Sequence, residues 1–186
     1  MKNIHLSSNQ NRLPGFSLLA LGASLFAYVL CKTGRFDSST FYIGLILLIT
    51  GGIQIATAVR AHQQRNFYAA ATLLPLGIFW LSIIGCEVFP KLGFGSFPNS
   101  LTMFFYLSLW ASFVAILFLR SFRQRLTMQF LYGTMMAFLL SLSLDQLRED
   151  NVFLVIGCVF GLFTAAIAVY TAIVQFLRRD SEVSYR

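Results

Sequence analysis

The sequence predicts an all-α integral membrane protein with six transmembrane helices. Three observations carry that prediction. Of the 186 residues 57% are hydrophobic and 11% charged, and the mean hydropathy is +0.71, whereas a soluble domain carries about 25% charge. The apolar residues form six long runs, each close to the ~20 residues that a bilayer-crossing helix needs. The charges fall between the runs. A soluble fold of this length has too little interior to hide so much apolar surface, which includes 20 phenylalanines, so soluble enzymes and nucleic-acid binders are all but excluded.

The first run is Pro14 to Leu30. Lys2 and Arg12 ahead of it resemble the start of a cleaved leader. Tyr28-Val29-Leu30 leaves no small-x-small site, however, and Leu30 before Cys31 spoils a lipoprotein signature. The run is therefore read as a retained helix. Gly34, Asp37 and Ser38 break the chain after it. The second run is Phe41 to Val59, followed by the polar stretch Arg60 to Asn66. The third is Phe67 to Val88. Within it Pro75 lacks a backbone donor and clashes with the preceding turn, which predicts a kink near Ala71 to Pro75. The freed carbonyl would turn to Thr72, a water or a passing solute. Pro90, Gly93, Gly95 and Pro98 mark the longest loop. Leu101 to Leu119, the basic turn Arg120 to Arg125, Leu126 to Leu144, the mostly acidic turn Asp145 to Asn151, and Val152 to Leu177 complete the pattern. Continuous runs of this length do not fit the alternating ten-residue strands of a barrel. Residues 1–13 are an N-terminal tail, 14–177 one membrane domain, and 178–186 a C-terminal tail.

Charge sets the orientation. Lys2, Arg12, Arg60, Arg65, Arg120, Arg123, Arg125, Arg178, Arg179 and Arg186 fall on one side. Lys32, Arg35, Lys91 and Arg148 fall on the other, with Asp37, Glu87, Asp145, Glu149 and Asp150. The positive-inside rule then places both termini in the cytoplasm, for a multi-pass protein of the inner (plasma) membrane. This bias accounts for the net charge of +7 without a nucleic-acid partner. Cys31, Cys86 and Cys158 have no CxxC spacing, and packed free thiols are the default. Cys31 and Cys86 share the outer side, but a bridge would need close geometry that sequence does not give. His5 and His62 lie in a tail and a loop, so neither a metal nor any other cofactor is expected.

The odd-numbered runs share a short pattern: Leu19-Ala20-Leu21-Gly22, Leu74-Pro75-Leu76-Gly77 and Phe130-Leu131-Tyr132-Gly133, with glycines 55 and 56 residues apart. Each glycine lies about 12 to 17 Å into its helix. All three helices run the same way, so Gly22, Gly77 and Gly133 fall near mid-membrane, where they are expected to border a solute path. Either the pattern is chance in Leu- and Gly-rich helices, or three pseudo-repeated helix hairpins surround a central pore. Gly51, Gly52, Gly157 and Gly161 are candidates for close helix packing. Trp80 and Trp110 fall mid-span and are expected inside the bundle or between subunits.

Polar residues within the runs are few. Thr50, Ser108, Ser112, Thr134, Ser141, Thr164 and Thr171 carry hydroxyls, which more often bond their own or a neighbouring helix than line a pore. Tyr28, Tyr106, Tyr132 and Tyr170 have polar tips. Gln54 differs. Its amide has more hydrogen-bonding capacity than its own helix can satisfy, so it is either helix glue or a solute contact. No charge lies deep in a run, and Glu87 and Asp145 sit at outer helix ends. A proton-driven pump usually carries a buried relay, so the pattern favours passive passage or coupling through a solute's own proton. An enzyme would need a nucleophile–base pair or metal ligands at helical spacing, and neither is found.

Several short segments, in order across nearly the whole chain, resemble the acetate uptake transporter family, the succinate–acetate permease group. They are Gly51-Gly52-Ile53-Gln54-Ile55, Gly77-Ile78-Phe79-Trp80-Leu81, Pro90-Lys91-Leu92-Gly93, Tyr106-Leu107-Ser108-Leu109-Trp110, Gln129-Phe130, and Gly161 to Tyr170. The resemblance implies a six-helix protomer with its own pore, assembled into a homo-hexamer in the lipid bilayer. It implies passage of small monocarboxylates such as acetate, with succinate a further candidate. It places the family's narrow apolar ring on Leu21, Leu76 and Met135; Gln54 and Thr134, from the polar residues above, are the expected solute contacts. The chain departs from the family where two ring aromatics, one a tyrosine, are replaced by aliphatic and thioether side chains. The amino-terminal signature survives only in fragments at Asn11 to Phe16, and one residue is missing between the glycine pair and Gln54. An aliphatic ring offers a carboxylate no hydrogen bond, so a protonated acid or a neutral solute would cross it more easily, and it could also gate by dewetting. Arg12, Arg60 and Arg123 could concentrate anions at the cytoplasmic mouth, although topology alone explains them. A six-helix channel for urea or a short amide is the alternative expectation. A non-transporting scaffold, sealed by its own side chains, is the third.

Overall fold

The fold is taken from a computed structural model, which describes residues 13–33, 40–148 and 151–184, with side chains to Leu177. The N-terminal tail with Lys2, His5 and Arg12, the segment 34–39, Glu149 and Asp150, and the side chains from 178 onward lie outside the described residues.

Six long helices account for nearly all of it. They are α1 (Gly15–Thr33), α2 (Thr40–Gln63), α3 (Phe67–Ile83), α4 (Ser100–Ser121), α5 (Leu126–Asp145) and α6 (Val152–Ser184). Each is long and apolar enough to cross a membrane, α3 together with the turns that continue it to Lys91. Asn66 caps α3 by accepting from the Ala69 amide at 3.1 Å, and Asn99 caps α4 by accepting from Thr102 at 2.7 Å. These caps satisfy amides that the first helical turn leaves without partners. Between α2 and α3 the chain reverses through Arg65 at φ 58°, and the Asn66 amide reaches back to the Ala61 carbonyl at 2.8 Å. Gly93 and Gly95 take φ of 86° and 85° in the α3–α4 loop, where a side chain would be strained. Helix α6 continues to Ser184, beyond the span end expected at Leu177.

Helix α3 runs through Pro75 without interruption. The irregularity lies further along: Ile84–Val88 forms a π-helical turn, followed by a last turn Phe89–Lys91. Thr72 does not take up the role suggested for it. Its hydroxyl is buried without a hydrogen-bond partner.

The helices form two layers. The membrane-spanning parts of α1, α3 and α5 are 56%, 50% and 44% buried, against 39%, 28% and 33% for α2, α4 and α6. Three helices therefore line the axis and three wrap them. Extensive packing joins α1 to α6, α3 to α2 and α5 to α4, and also α5 to α6 and α1 to α2.

The glycines explain the first three contacts. A Cβ on Gly22 would sit 2.8 Å from Val169 and 3.2 Å from the Ala165 carbonyl, both in α6. On Gly77 it would sit 2.6 Å from Ile55 and 2.9 Å from the Gly51 carbonyl, in α2. On Gly133 it would meet Phe118 of α4 at 3.1 Å. Each inner helix thus presses its glycine against the outer helix of the preceding hairpin, with α6 preceding α1 in the cycle. The sequence repeat is a structural repeat of three.

Candidate functional site

The candidate site is the axis between the three inner helices. Leu21, Leu76 and Met135, one from each, are all buried to 1% exposure or less in a single apolar cluster. On α3 the residues Tyr68, Thr72, Leu76 and Trp80 recur every fourth position, which puts them on one helix face. All four are buried.

Polar groups lie on either side of the aliphatic level. On the side of Arg60, Arg120 and Arg123, the Tyr68 hydroxyl bonds Tyr132 across the axis at 3.0 Å and donates to Gln124 at 3.2 Å. The Arg120 guanidinium rests on the Tyr68 ring. On the other side Tyr28 packs edge-on against Trp80 and Phe138, with ring centroids 5.9 and 6.1 Å apart. Its hydroxyl donates to Glu87 at 2.7 Å, and the Lys32 ammonium lies 2.9 Å from the same carboxylate oxygen. Buried side chains stand at each of these levels.

Gln54 carries the least ordinary chemistry. It is fully buried, and neither its amide nitrogen nor its oxygen has a hydrogen-bond partner in the protein. The Thr72 hydroxyl and the Trp80 indole N–H share that condition. An unmet buried polar group costs about 1–3 kcal/mol. Four such atoms, on two packed helices, are unmet in this way. The Gln54 amide makes no hydrogen bond that ties α2 to another helix of this protomer.

The hydroxyls behave otherwise. Ser24 bonds Thr50 at 2.7 Å, Ser108 bonds Ser143 at 2.7 Å, and Thr164 bonds Thr134 at 2.8 Å, each across a helix seam. Ser82 and Tyr106 bond in the same way. Thr134 also donates to the Phe130 carbonyl at 2.8 Å, so its hydroxyl is engaged between α5 and α6, beside an outward-facing cleft with Gly133 and Gln129. The Cβ directions of Gly22 and Gly77 face helix seams, and that of Gly133 meets the Phe118 ring beside the same cleft.

Among the packing candidates, Gly51 meets the Gly77 carbonyl, Gly157 meets Leu142 and Ser141, and Gly161 meets Val29 and Phe138. Gly52 is exposed with nothing within 4 Å of its Cβ direction, so it packs against no helix of this protomer. Trp80 is fully buried; Trp110 is half-buried beside exposed Leu109 and Ile116. Cys31, Cys86 and Cys158 are free thiols.

Sequence reasoning passed over Tyr68 and the indole N–H of Trp80, and it left Glu87 at a helix end without a partner. The every-fourth-residue stripe Tyr68-Thr72-Leu76-Trp80 was the available signal for the first two.

Three inner helices wrapped by three outer ones, each long and apolar enough to cross a membrane, define a multi-pass α-helical membrane protein. The chain belongs to the GPR1/FUN34/yaaH family, whose sequence profile matches residues 11–185. It is similar to the succinate-acetate/proton symporter SatP of Escherichia coli (strain K12), with 22% identity over 163 residues, 88% of this chain and 87% of that one. An uncharacterized protein of Methanothermobacter thermautotrophicus is 20% identical over 167 residues, 86% of this chain and 82% of that one. Among solved structures it resembles that of the bacterial acetate channel SatP, with a TM-score of 0.82 and 23% identity, covering 89% of this chain and 92% of the other. At that identity the likeness establishes the six-helix fold.

Proposed function

We propose that this protein passes small monocarboxylates, acetate first among them, across the cell's inner membrane along the axis of each protomer. The Gln54 amide carries the proposal. It is fully buried, unpaired, and level with Leu76 by helix rise: each lies nine residues from the cytoplasmic-side end of its helix, about 13 Å deep. A solute carboxyl group that reached it would satisfy the amide. The names carried by the relatives point to the same class of solute.

Leu21, Leu76 and Met135 close the path in this reading. They present no donor to a carboxylate, so the neutral acid crosses and brings its own proton. The ten-to-four division of basic residues supports cytoplasmic termini. The half-exposed Trp110 beside Leu109 and Ile116 supports a neighbouring copy against α4, within a homo-oligomer of the hexameric kind. Leu21, Leu76 and Met135 carry no positive charge and Gln54 is a neutral amide, which favours one second reading, a neutral solute such as urea.

Uptake of radiolabelled acetate into proteoliposomes tests the proposal, with bare liposomes subtracted because acetic acid leaks through lipid. Protein-dependent uptake that Leu76→Trp blocks is the expected result. Uptake no greater than that of bare liposomes, together with protein-dependent urea flux, would replace the carboxylate with the neutral solute.

A further inference from the structure

We infer that Lys32 and the Tyr28 hydroxyl form a carboxylate-binding site at the outer end of the axis, and that Glu87 is its built-in occupant. The inference rests on the carboxylate reading above and adds to it where an incoming anion is first held.

The donors define the ligand. One oxygen of Glu87 takes the Tyr28 hydroxyl at 2.7 Å and the Lys32 ammonium at 2.9 Å. A hydroxyl and a cation converging on one carboxylate oxygen is the donor set that a free monocarboxylate requires. The end of a glutamate side chain is, chemically, an acetate on a tether. A site that holds one accepts the other.

The site is built rather than incidental. Glu87 is only 7% exposed and Tyr28 only 1%. The Tyr28 ring is pinned edge-on by Trp80 and Phe138, and the Lys32 ammonium lies over that ring, 5.5 Å from its centroid. Glu87 belongs to the π-turn Ile84–Val88, where the extra residue per turn re-aims the side chain. The turn is clamped in place: a Cβ on Gly44 would come within 2.7 Å of Val88. A buried ion pair is weak evidence of stability, since apolar replacements commonly do as well, and an ionisable side chain within a membrane span points to function.

The arrangement suits exchange. The Tyr28–Glu87 bond ties α1 to the end of the third span across the axis, so it parts when a solute enters. An arriving carboxylate replaces Glu87 at Lys32, and the cation keeps a counter-ion throughout. The displaced Glu87 carboxylate turns towards the outer surface, one helical turn away at Lys91. Glu87 is then an intramolecular competitor that weakens the apparent affinity for acetate.

Acetate binding to the full chain in detergent tests this, read by the fluorescence of Trp80 in a Trp110→Phe background. Trp80 touches Tyr28 and reports on the site. Removing the competitor's charge with Glu87→Gln tightens acetate binding about tenfold, the scale of one charge-assisted contact. The gain disappears when Lys32→Met is added. Unchanged or weaker binding in Glu87→Gln overturns the proposal. Should that variant not fold, Lys32→Met alone decides: it weakens binding about tenfold, and an unchanged affinity overturns the site. Acetate flux separates the two levels of inference. Flux in the wild type with no variant moving the affinity removes the site and leaves the transport reading. Variants that shift acetate binding in a protein without flux do the reverse.

Discussion

Gly77 and Gly51 meet backbone to backbone: a Cβ on Gly77 would lie 2.9 Å from the Gly51 carbonyl oxygen, and 2.6 Å from Ile55. The obstacle is backbone, which cannot turn aside as a flexible side chain can. In lipid, helices associate through such close approach, because no hydrophobic force distinguishes a partner helix from an acyl chain. Gly77→Ala therefore destabilises the protein by about 2–3 kcal/mol. Gly52→Ala is the control. Its new methyl group meets nothing within 4 Å in this protomer, so stability changes by less than about 0.5 kcal/mol. Thermal unfolding in detergent reads both. Equal melting temperatures for the two variants would remove the glycine seam from the account of the fold.

Gln54→Leu separates stability from function. The amide brings no hydrogen bond to the folded protein, so an apolar side chain of similar size leaves stability unchanged or raises it by about 1 kcal/mol. If the amide serves the solute, acetate uptake falls about tenfold in the same variant. A melting temperature that drops while uptake persists would make Gln54 a structural residue after all.

Much of this could be read from the residues alone. Six spans followed from apolar run length, and the inner set from the glycine repeat, since Gly22, Gly77 and Gly133 recur where inner helices must come close to outer ones. What the repeat did not say is which way each glycine faces. Leu19-Ala20-Leu21-Gly22 leaves Leu21 and Gly22 about 100° apart on the helix, so a glycine at the seam and a leucine at the axis share one motif. The π-turn was illegible because Ile84-Gly85-Cys86-Glu87-Val88 contains no residue that demands it. Without that turn Glu87 reads as a surface charge at a helix end. Its partners Tyr28 and Lys32 are 59 and 55 positions away in the chain, and only packing brings them together. The hydroxyl of Thr134 looked free for the same reason: Thr164 lies in another helix.

The Lys32–Glu87 pair predicts a non-additive pattern. Removing one partner leaves a charge in a largely buried place, so Glu87→Leu and Lys32→Met each destabilise by about 1–3 kcal/mol. The double variant loses less than either single one, because no unpaired charge remains. Its melting temperature, compared with those of the single variants, measures the coupling. Simple additivity would show that the two groups do not sense each other in the membrane protein.

The aliphatic level predicts how passage responds to pH. Leu21, Leu76 and Met135 offer no hydrogen bond, so a carboxylate must leave its anionic form, or its hydration, to cross. Protein-dependent acetate uptake is therefore faster at about pH 5 than at about pH 7.5, where the protonated acid is scarce. Leu76→Trp blocks uptake at both values. Leu76→Ala widens the level and admits water, so the anion keeps part of its shell. Its uptake rises most at the higher pH, and the ratio between the two pH values shrinks. A ratio unchanged in Leu76→Ala, with uptake also unchanged, would mean that the slow step lies elsewhere on the axis. The Tyr68–Tyr132 bond would then be next to test, with Tyr132→Phe, which removes one hydroxyl from the tie between α3 and α5.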